Sequence, residues 1–238
     1  MSENEFEKAE SKMNDGQLMA EKRNKRSDII STIITSIICL LPIAFGLILW
    51  DKLPETMIRH WGFNGKPDGY SSKFVCVVVF PLLLTFLQIF MVITLFFKKE
   101  SASRKFKTIY SWIIPVTSVF ACFLMYTINL GIQVNIFFWI NIFLAFLFMI
   151  LGNVLPKSSV KHINIIVPNE IKDDENKVAS MKKITARRYG LILFVAGLFM
   201  LLTSFTPFTK WTILGSVCFV ILGTIISALI TASQFKKN

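Results

Sequence analysis

Six stretches of this chain contain no Asp, Glu, Lys, Arg or His: 29–50, 74–97, 109–130, 134–155, 189–206 and 211–232. That pattern limits the fold more than any motif does. A helix needs about 20 residues to cross a hydrocarbon core of roughly 30 Å. In lipid every backbone N–H and C=O must find its partner within protein, which leaves helices and closed barrels. The runs are continuous rather than alternating, so they read as helices. Burying six wholly apolar helices inside one soluble domain of 238 residues is not a workable alternative. The expectation is an all-α integral membrane protein with six transmembrane helices. The first run is longer than the apolar core of about 7–15 residues in a signal peptide, and no small-residue cleavage pattern follows it. It reads as a retained first helix.

The basic residues fix an expected orientation. Of the 26 Lys and Arg, 21 lie in the tail before the first run, in the intervals after the second and fourth, and in the C-terminal tail. The other five are Lys52, Arg59, Lys66, Lys73 and Lys210. Basic residues in short loops stay cytoplasmic. Both termini are therefore expected in the cytoplasm, with the loop 51–73 outside. The net charge of +11 is then topological and implies no nucleic-acid partner. The run Lys22-Arg23-Asn24-Lys25-Arg26 suits anionic headgroups, at about 1 kcal/mol per basic residue. The expected division is a basic cytoplasmic tail (1–28), a helix–loop–helix unit (29–97), helices three and four (98–155), a cytoplasmic loop (156–188), and helices five and six with a short tail (189–238). The lipid bilayer is the first expected partner.

Inside the runs the chemistry is that of packing. Pro42, Pro81 and Pro115 each remove a backbone donor and bend a helix, and neighbouring helices can satisfy the freed carbonyls. Gln88 and Asn141 are expected to hydrogen-bond across helices, for about 0.6 kcal/mol each. The pairs Gly190/Gly197 and Gly215/Gly223 each fall on one helix face, which suits close contact between helices five and six. Cys39, Cys76, Cys122 and Cys218 lie in four different runs without metal-ligand spacing, and read as small hydrophobes. No metal or cofactor is assigned. The lack of ionisable groups in the runs disfavours an ion-coupled transporter.

The informative interval is "LPETMIRHWGFNGKPDGYSSK", residues 53–73. Asn64-Gly65 and Pro67-Asp68-Gly69 are turn signals. Pro54 ends the first helix. Trp50, Trp61, Phe63 and Tyr70 suit headgroup depth. The loop is expected to be compact, tethered at both ends and pressed on the bilayer. Its candidate ligand-contacting residues are Pro54, His60, Trp61, Gly65, Pro67, Asp68, Gly69 and Lys73. His60 can form an acid–base pair with Glu55 or Asp68. No nucleophile elbow, no H-E-x-x-H and no second loop histidine accompanies it, so no catalytic residue is assigned. In the interval 156–188, an acidic centre at Asp173-Asp174-Glu175 precedes a basic stretch. A helix lying along the membrane face is expected from about Glu170. A solvated charged face accounts for it; the sharper reading makes Asp173, Asp174, Lys182 and Lys183 a docking site for a cytoplasmic regulator.

Leu53-Pro54, His60-Trp61, Gly65, Pro67-Asp68-Gly69 and Lys73, with a membrane helix on either side, resemble the bacterial membrane domain DUF1648. That domain opens the SdpI-like immunity proteins of the sporulation-delaying-protein type. Gly152-Asn153 and Leu155-Pro156-Lys157 resemble that family's later Gly-Asn-x-Leu-Pro-Lys segment. Its next signature, an Arg-Thr-Pro-Trp-Thr-like run, is replaced here by "NIIVPNEIKDD". The resemblance implies a multi-pass protein of the bacterial cytoplasmic membrane. It implies tolerance to a secreted toxic peptide through binding or sensing rather than catalysis, with a cytoplasmic regulator as a second partner. The competing readings are a membrane-embedded transporter or enzyme for a lipid or cell-envelope precursor, and an accessory regulatory subunit.

Overall fold

The computed structural model describes residues 3–96, 104–157, 165 and 167–236. The chain forms α1 (Glu3–Ile48), a hairpin of β1 (Thr56–Trp61) and β2 (Pro67–Ser72), then α2 (Phe80–Phe96), α3 (Arg104–Asn129), α4 (Ile136–Val154), α5 (Glu175–Thr203) and α6 (Thr209–Lys236). All six expected helices are present, each long and apolar enough to cross a membrane. Their large apolar side chains, such as Phe86, Phe123 and Leu229, point outward, as lipid-facing surfaces require. Part of the basic interval after α2, and Lys161 and His162 after α4, lie outside the described residues.

Two helices run beyond the bilayer. With 46 residues, α1 is about 69 Å long at about 1.5 Å per residue, far more than a span needs. The basic tail is thus the first half of the same helix. Similarly, α5 does not begin as a separate surface helix near Glu170. A short 3-10 turn (Asn169–Ile171) comes first. The helix then starts at Glu175, where the Asp174 carboxylate accepts the N–H groups of Asn176 and Lys177. No Gly or Pro breaks the chain between its charged turns and its span until Gly190, so one helix continues through both.

The helices pack as two groups of three. α1, α2 and α3 pack on one another, and α4, α5 and α6 do likewise. Between the groups, α3 meets α4, where the Phe120 and Phe143 rings stack at 4.2 Å. In the first group Gln88 is fully buried. Its Nε2 donates to Thr35 Oγ1 on α1 at 3.1 Å and to the Ser111 carbonyl on α3 at 2.7 Å. Ser111 lies four residues before Pro115, so this is the carbonyl that the proline leaves without a helical donor. Pro81 is accommodated differently. A π turn (Val75–Val79) precedes it, with the Phe80 N–H reaching back to the Val75 carbonyl.

In the second group, buried Asn141 donates to the Met200 carbonyl at 2.7 Å and to Ser204 Oγ at 3.0 Å. The cross-helix bonds expected of Gln88 and Asn141 are both present. The glycine expectation needs correction. A Cβ on Gly190 would lie 2.6 Å from the Gly152 carbonyl oxygen, and one on Gly197 would lie 2.6 Å from the Ala145 carbonyl oxygen. These glycines bring α5 onto α4, not onto α6. Gly215 has nothing within 4 Å, whereas Gly223 faces the Ile192 side chain of α5, so the α5–α6 contact holds at that one glycine. Spacing along a helix identifies a face, but it does not name the neighbour.

Candidate functional site

The interval between α1 and α2 is a β-hairpin, not a loop with two turns. Only Asn64-Gly65 turns. Gly65 has φ +80°, its N–H bonds to the Gly62 carbonyl, and the Asn64 side chain accepts the Lys66 N–H. Pro67 instead opens β2, a strand position where a missing N–H is tolerated. The strands pair antiparallel from Thr56↔Ser72 to Trp61↔Pro67, with irregularities on both sides of His60. The β-branched and aromatic residues of "TMIRHW" suit a strand, but the glycine and proline of "PDGYSS" hide its partner.

Three sets of contacts hold the hairpin. At its base, the Lys73 N–H continues the ladder to the Glu55 carbonyl at 2.8 Å. The buried Lys73 ammonium pairs with Glu55 at 2.9 Å, donates to the Trp50 carbonyl at 3.0 Å and lies 5.0 Å from the Trp50 ring centre. Leu53, just before β1, and Met57 within it sink into a core with Cys76 and Val77 from the start of the second span and Cys122, Met125 and Tyr126 from α3. Asn129, the last residue of α3, behaves like one rung of a third strand. Its Oδ1 accepts the Ile58 N–H at 2.8 Å and its Nδ2 donates to the Ile58 carbonyl at 2.9 Å. Gly131 ends α3 with φ +82°; the Ile132 N–H bonds back to the Thr127 carbonyl, which fixes where Asn129 stands. At the tip, Phe63 meets Trp211 of α6 edge to face at 4.8 Å, with the Lys210 ammonium 5.6 Å from the Phe63 ring. Gly65 adjoins Phe137 of α4. The hairpin therefore spans both three-helix groups.

His60 faces Asp68 across the strands, Nδ1 to Oδ1 at 2.5 Å, with both side chains largely exposed. Of the two carboxylates open to it in the sequence, it pairs with Asp68; Glu55 is held by Lys73. Gly69 stands opposite His60, where a Cβ would come 2.7 Å from the His60 Cβ. Its need for glycine is this close approach, since the described positive-φ residues are Gly65 and Gly131. Pro54, Phe63 and Tyr70 are exposed, and Trp61 is half-buried. Below Trp61 lies a cavity of about 390 Å³ between α2, α3 and α4, roofed by Arg59, His60 and Trp61.

The structure brings His60, Trp61, Gly65, Pro67, Asp68 and Gly69 together on the hairpin beyond its base. It places Lys73 apart from them, inside the base. Asp173, Asp174, Lys182 and Lys183 occupy the other end of the molecule, joined to the far end of α6 by the Glu170–Lys236 contact at 3.5 Å. There Asp174 is engaged as the helix cap, Asp173 and Lys183 are exposed, and Lys182 is half-buried. Glu170's carboxyl is held below its ordinary range, first by its own backbone N–H, with desolvation opposing and Lys236 adding to the lowering. Asn129, Arg59 and the Lys210–Trp211 pair were not singled out from the sequence. An amide side chain just before a helix-ending glycine was the available signal for Asn129.

Residues 37–85 match the family described as domain of unknown function DUF1648. The match covers the hairpin and parts of both flanking helices. Over 208 residues the chain is 27% identical to "Immunity protein SdpI" of Bacillus subtilis (strain 168), covering 86% of this chain and 96% of that protein. Both comparisons support the DUF1648, SdpI-like family to which the hairpin residues point. No solved structure matches the chain. With six spans and this similarity, it is a multi-pass protein of the bacterial cytoplasmic membrane.

Proposed function

We propose that this chain is an immunity protein that gives its host tolerance to a membrane-active toxic peptide, by binding the peptide at the hairpin rather than cleaving or exporting it. The hairpin carries the reading. It presents exposed Phe63 and Tyr70, the half-buried Trp61 and the cations Arg59 and Lys66, with Lys210 of α6 beside the Phe63 ring. Aromatic faces suit apolar side chains and cations, and the strand framework holds them in fixed relation. The name of the similar SdpI protein supports the immunity role. The bias of basic residues supports an outward hairpin and cytoplasmic termini. On this reading His60, Trp61, Pro67, Asp68 and Gly69 shape the contact face, Gly65 sets its turn, and Pro54 and Lys73 hold its base. Asp173, Lys182 and Lys183 are the candidates for a cytoplasmic regulator.

The test is expression in a sensitive bacterium challenged with a panel of membrane-active peptides. Tolerance to at least one should rise, saturate with dose, persist after the proton gradient is collapsed, and leave the peptide intact. Cleaved peptide would replace binding with an enzymatic reading. Loss of tolerance without the gradient would replace it with transport. Unchanged tolerance across the panel would remove the immunity reading.

A further inference from the structure

The cavity beneath the hairpin shares Arg59, His60 and Trp61 with the proposed contact face, but the rest of its lining lies within the spans. Its volume, about 390 Å³, is in the range of small-ligand sites. Phe120 and Leu124 of α3 form its floor, with Phe80 of α2 and Ile140 of α4 on either side. α2 and α4 flank α3 without packing substantially on each other, and Phe80 is 38% exposed on the lipid-facing surface. The cavity therefore opens sideways into the bilayer at the level where the helices meet the hairpin.

Its polarity is one-sided. The walls within the spans are apolar, and the polar groups belong to the roof. A polypeptide threaded into it would strand backbone N–H and C=O groups, at about 1–3 kcal/mol for each one left unpaired. A hydrocarbon chain brings no such groups. In the roof, Arg59 makes one hydrogen bond, from Nε to the Tyr70 carbonyl at 3.4 Å. Among the described residues no carboxylate pairs with it: Asp68 is taken by His60 and Glu55 by Lys73. A guanidinium at headgroup depth above an apolar slot is complementary to a phosphate carrying an acyl chain. We infer that the cavity holds one acyl chain of an anionic phospholipid, with the lipid phosphate on Arg59 and the chain between α2, α3 and α4. The bound lipid fills the gap between the two helix groups and supports the hairpin from below.

The test uses the full chain in bilayers containing a phosphatidylglycerol with a photoactivatable group on one acyl chain. Labelling should map to Phe120, Leu124 and Ile140. Arg59→Gln removes an exposed side chain, so folding should be preserved. It should lower labelling at those positions about tenfold, the value of one charge-assisted contact, and leave labelling of the outer face of α6 unchanged. Ala121→Phe fills the slot and should lower the same labelling with Arg59 intact. Unmutated protein should label more weakly with a phosphatidylcholine probe of the same chain, and excess inorganic phosphate should not compete. Equal labelling by the two lipids would overturn the choice of an anionic lipid, and equal labelling in Arg59→Gln would overturn the phosphate assignment. Displacement by inorganic phosphate would make the ion alone the ligand. Unchanged labelling in Ala121→Phe would remove the chain from the cavity, and labelling that requires an added membrane-active peptide would give the site to the peptide.

Discussion

The two three-helix groups solve the same packing problem with different residues. The spans of α1–α3 contain three prolines and one glycine, Gly46; α4–α6 contain no proline and five glycines. Each proline removes a donor, so the first group supplies substitutes or widens the helix. Gln88 takes the carbonyl freed by Pro115, and further side chains cross the interface: Ser118 donates to the Cys39 carbonyl at 3.3 Å and Tyr126 to the Pro42 carbonyl at 3.1 Å. In the second group, glycines bring α4 and α5 to backbone contact. The cavity roofed by Trp61 lies between α2, α3 and α4, directly beneath the hairpin.

The contrast breaks most severely at the glycines. Gly197→Val sets a side chain against the α4 backbone and should destabilise the protein by about 3 kcal/mol, the upper end of overpacking costs. Gly215→Val, on an open face, should change little. Denaturant unfolding of both variants in detergent micelles measures the difference; equal losses would remove the α4–α5 glycine contact from the account. In the first group, Gln88→Leu keeps the volume roughly but strands the Ser111 carbonyl. The expected loss is about 1–2 kcal/mol, recovered in part if Pro115→Ala restores the helical donor. Failure of that rescue would show that Gln88 is not serving the proline's carbonyl.

Asn129→Ala should sharpen the comparison, because beyond one bond to the Met125 carbonyl in its own helix Asn129 serves the hairpin and not the contacts between helices. Hydrogen exchange at Ile58 and its strand neighbours should quicken while exchange within α3 and α5 stays as in the unaltered chain. The smallest effect concerns Glu170. Its lowered pKa means that its contribution to stability is present above the ordinary carboxylate range and is lost as pH falls through its folded value. Acidification through that range should loosen the end of α6 near Lys236, and Lys236→Ala should lessen that response. A response unchanged in Lys236→Ala would remove the Glu170 contact as its cause.

The helices were legible because lipid enforces uncharged runs, and six such runs leave few alternatives. The bonds of Gln88 and Asn141 were legible because a polar side chain inside an apolar run must find a partner. Partner identity was not. Gly190 and Gly197 read as an α5–α6 seam, because spacing along one helix carries no information about which neighbour approaches. The hairpin was half legible. Asn64-Gly65 marks its turn, but Pro67, Asp68 and Gly69 have low strand propensity and look like a second turn. They enter the strand because Met57 is buried, Asn129 binds Ile58 and His60 needs a glycine opposite. Lys73 looked like an outward cation, and only the folded chain turns it inward onto Trp50 and Glu55.

On the proposed function the hairpin is the functional element and the helices are its support. The most direct test removes the contact face, and with it part of the cavity roof, while leaving the protein contacts that anchor the hairpin. A His60→Ala, Trp61→Ala double variant should insert to the same membrane level as the unaltered chain and unfold in micelles at nearly the same denaturant concentration, since Leu53, Met57, Asn129 and Lys73 still anchor the hairpin. In sensitive cells challenged with a peptide that the unaltered chain protects against, tolerance should fall to that of cells lacking the protein. Full tolerance at equal membrane level would contradict the account and leave the hairpin as a connector between two helices.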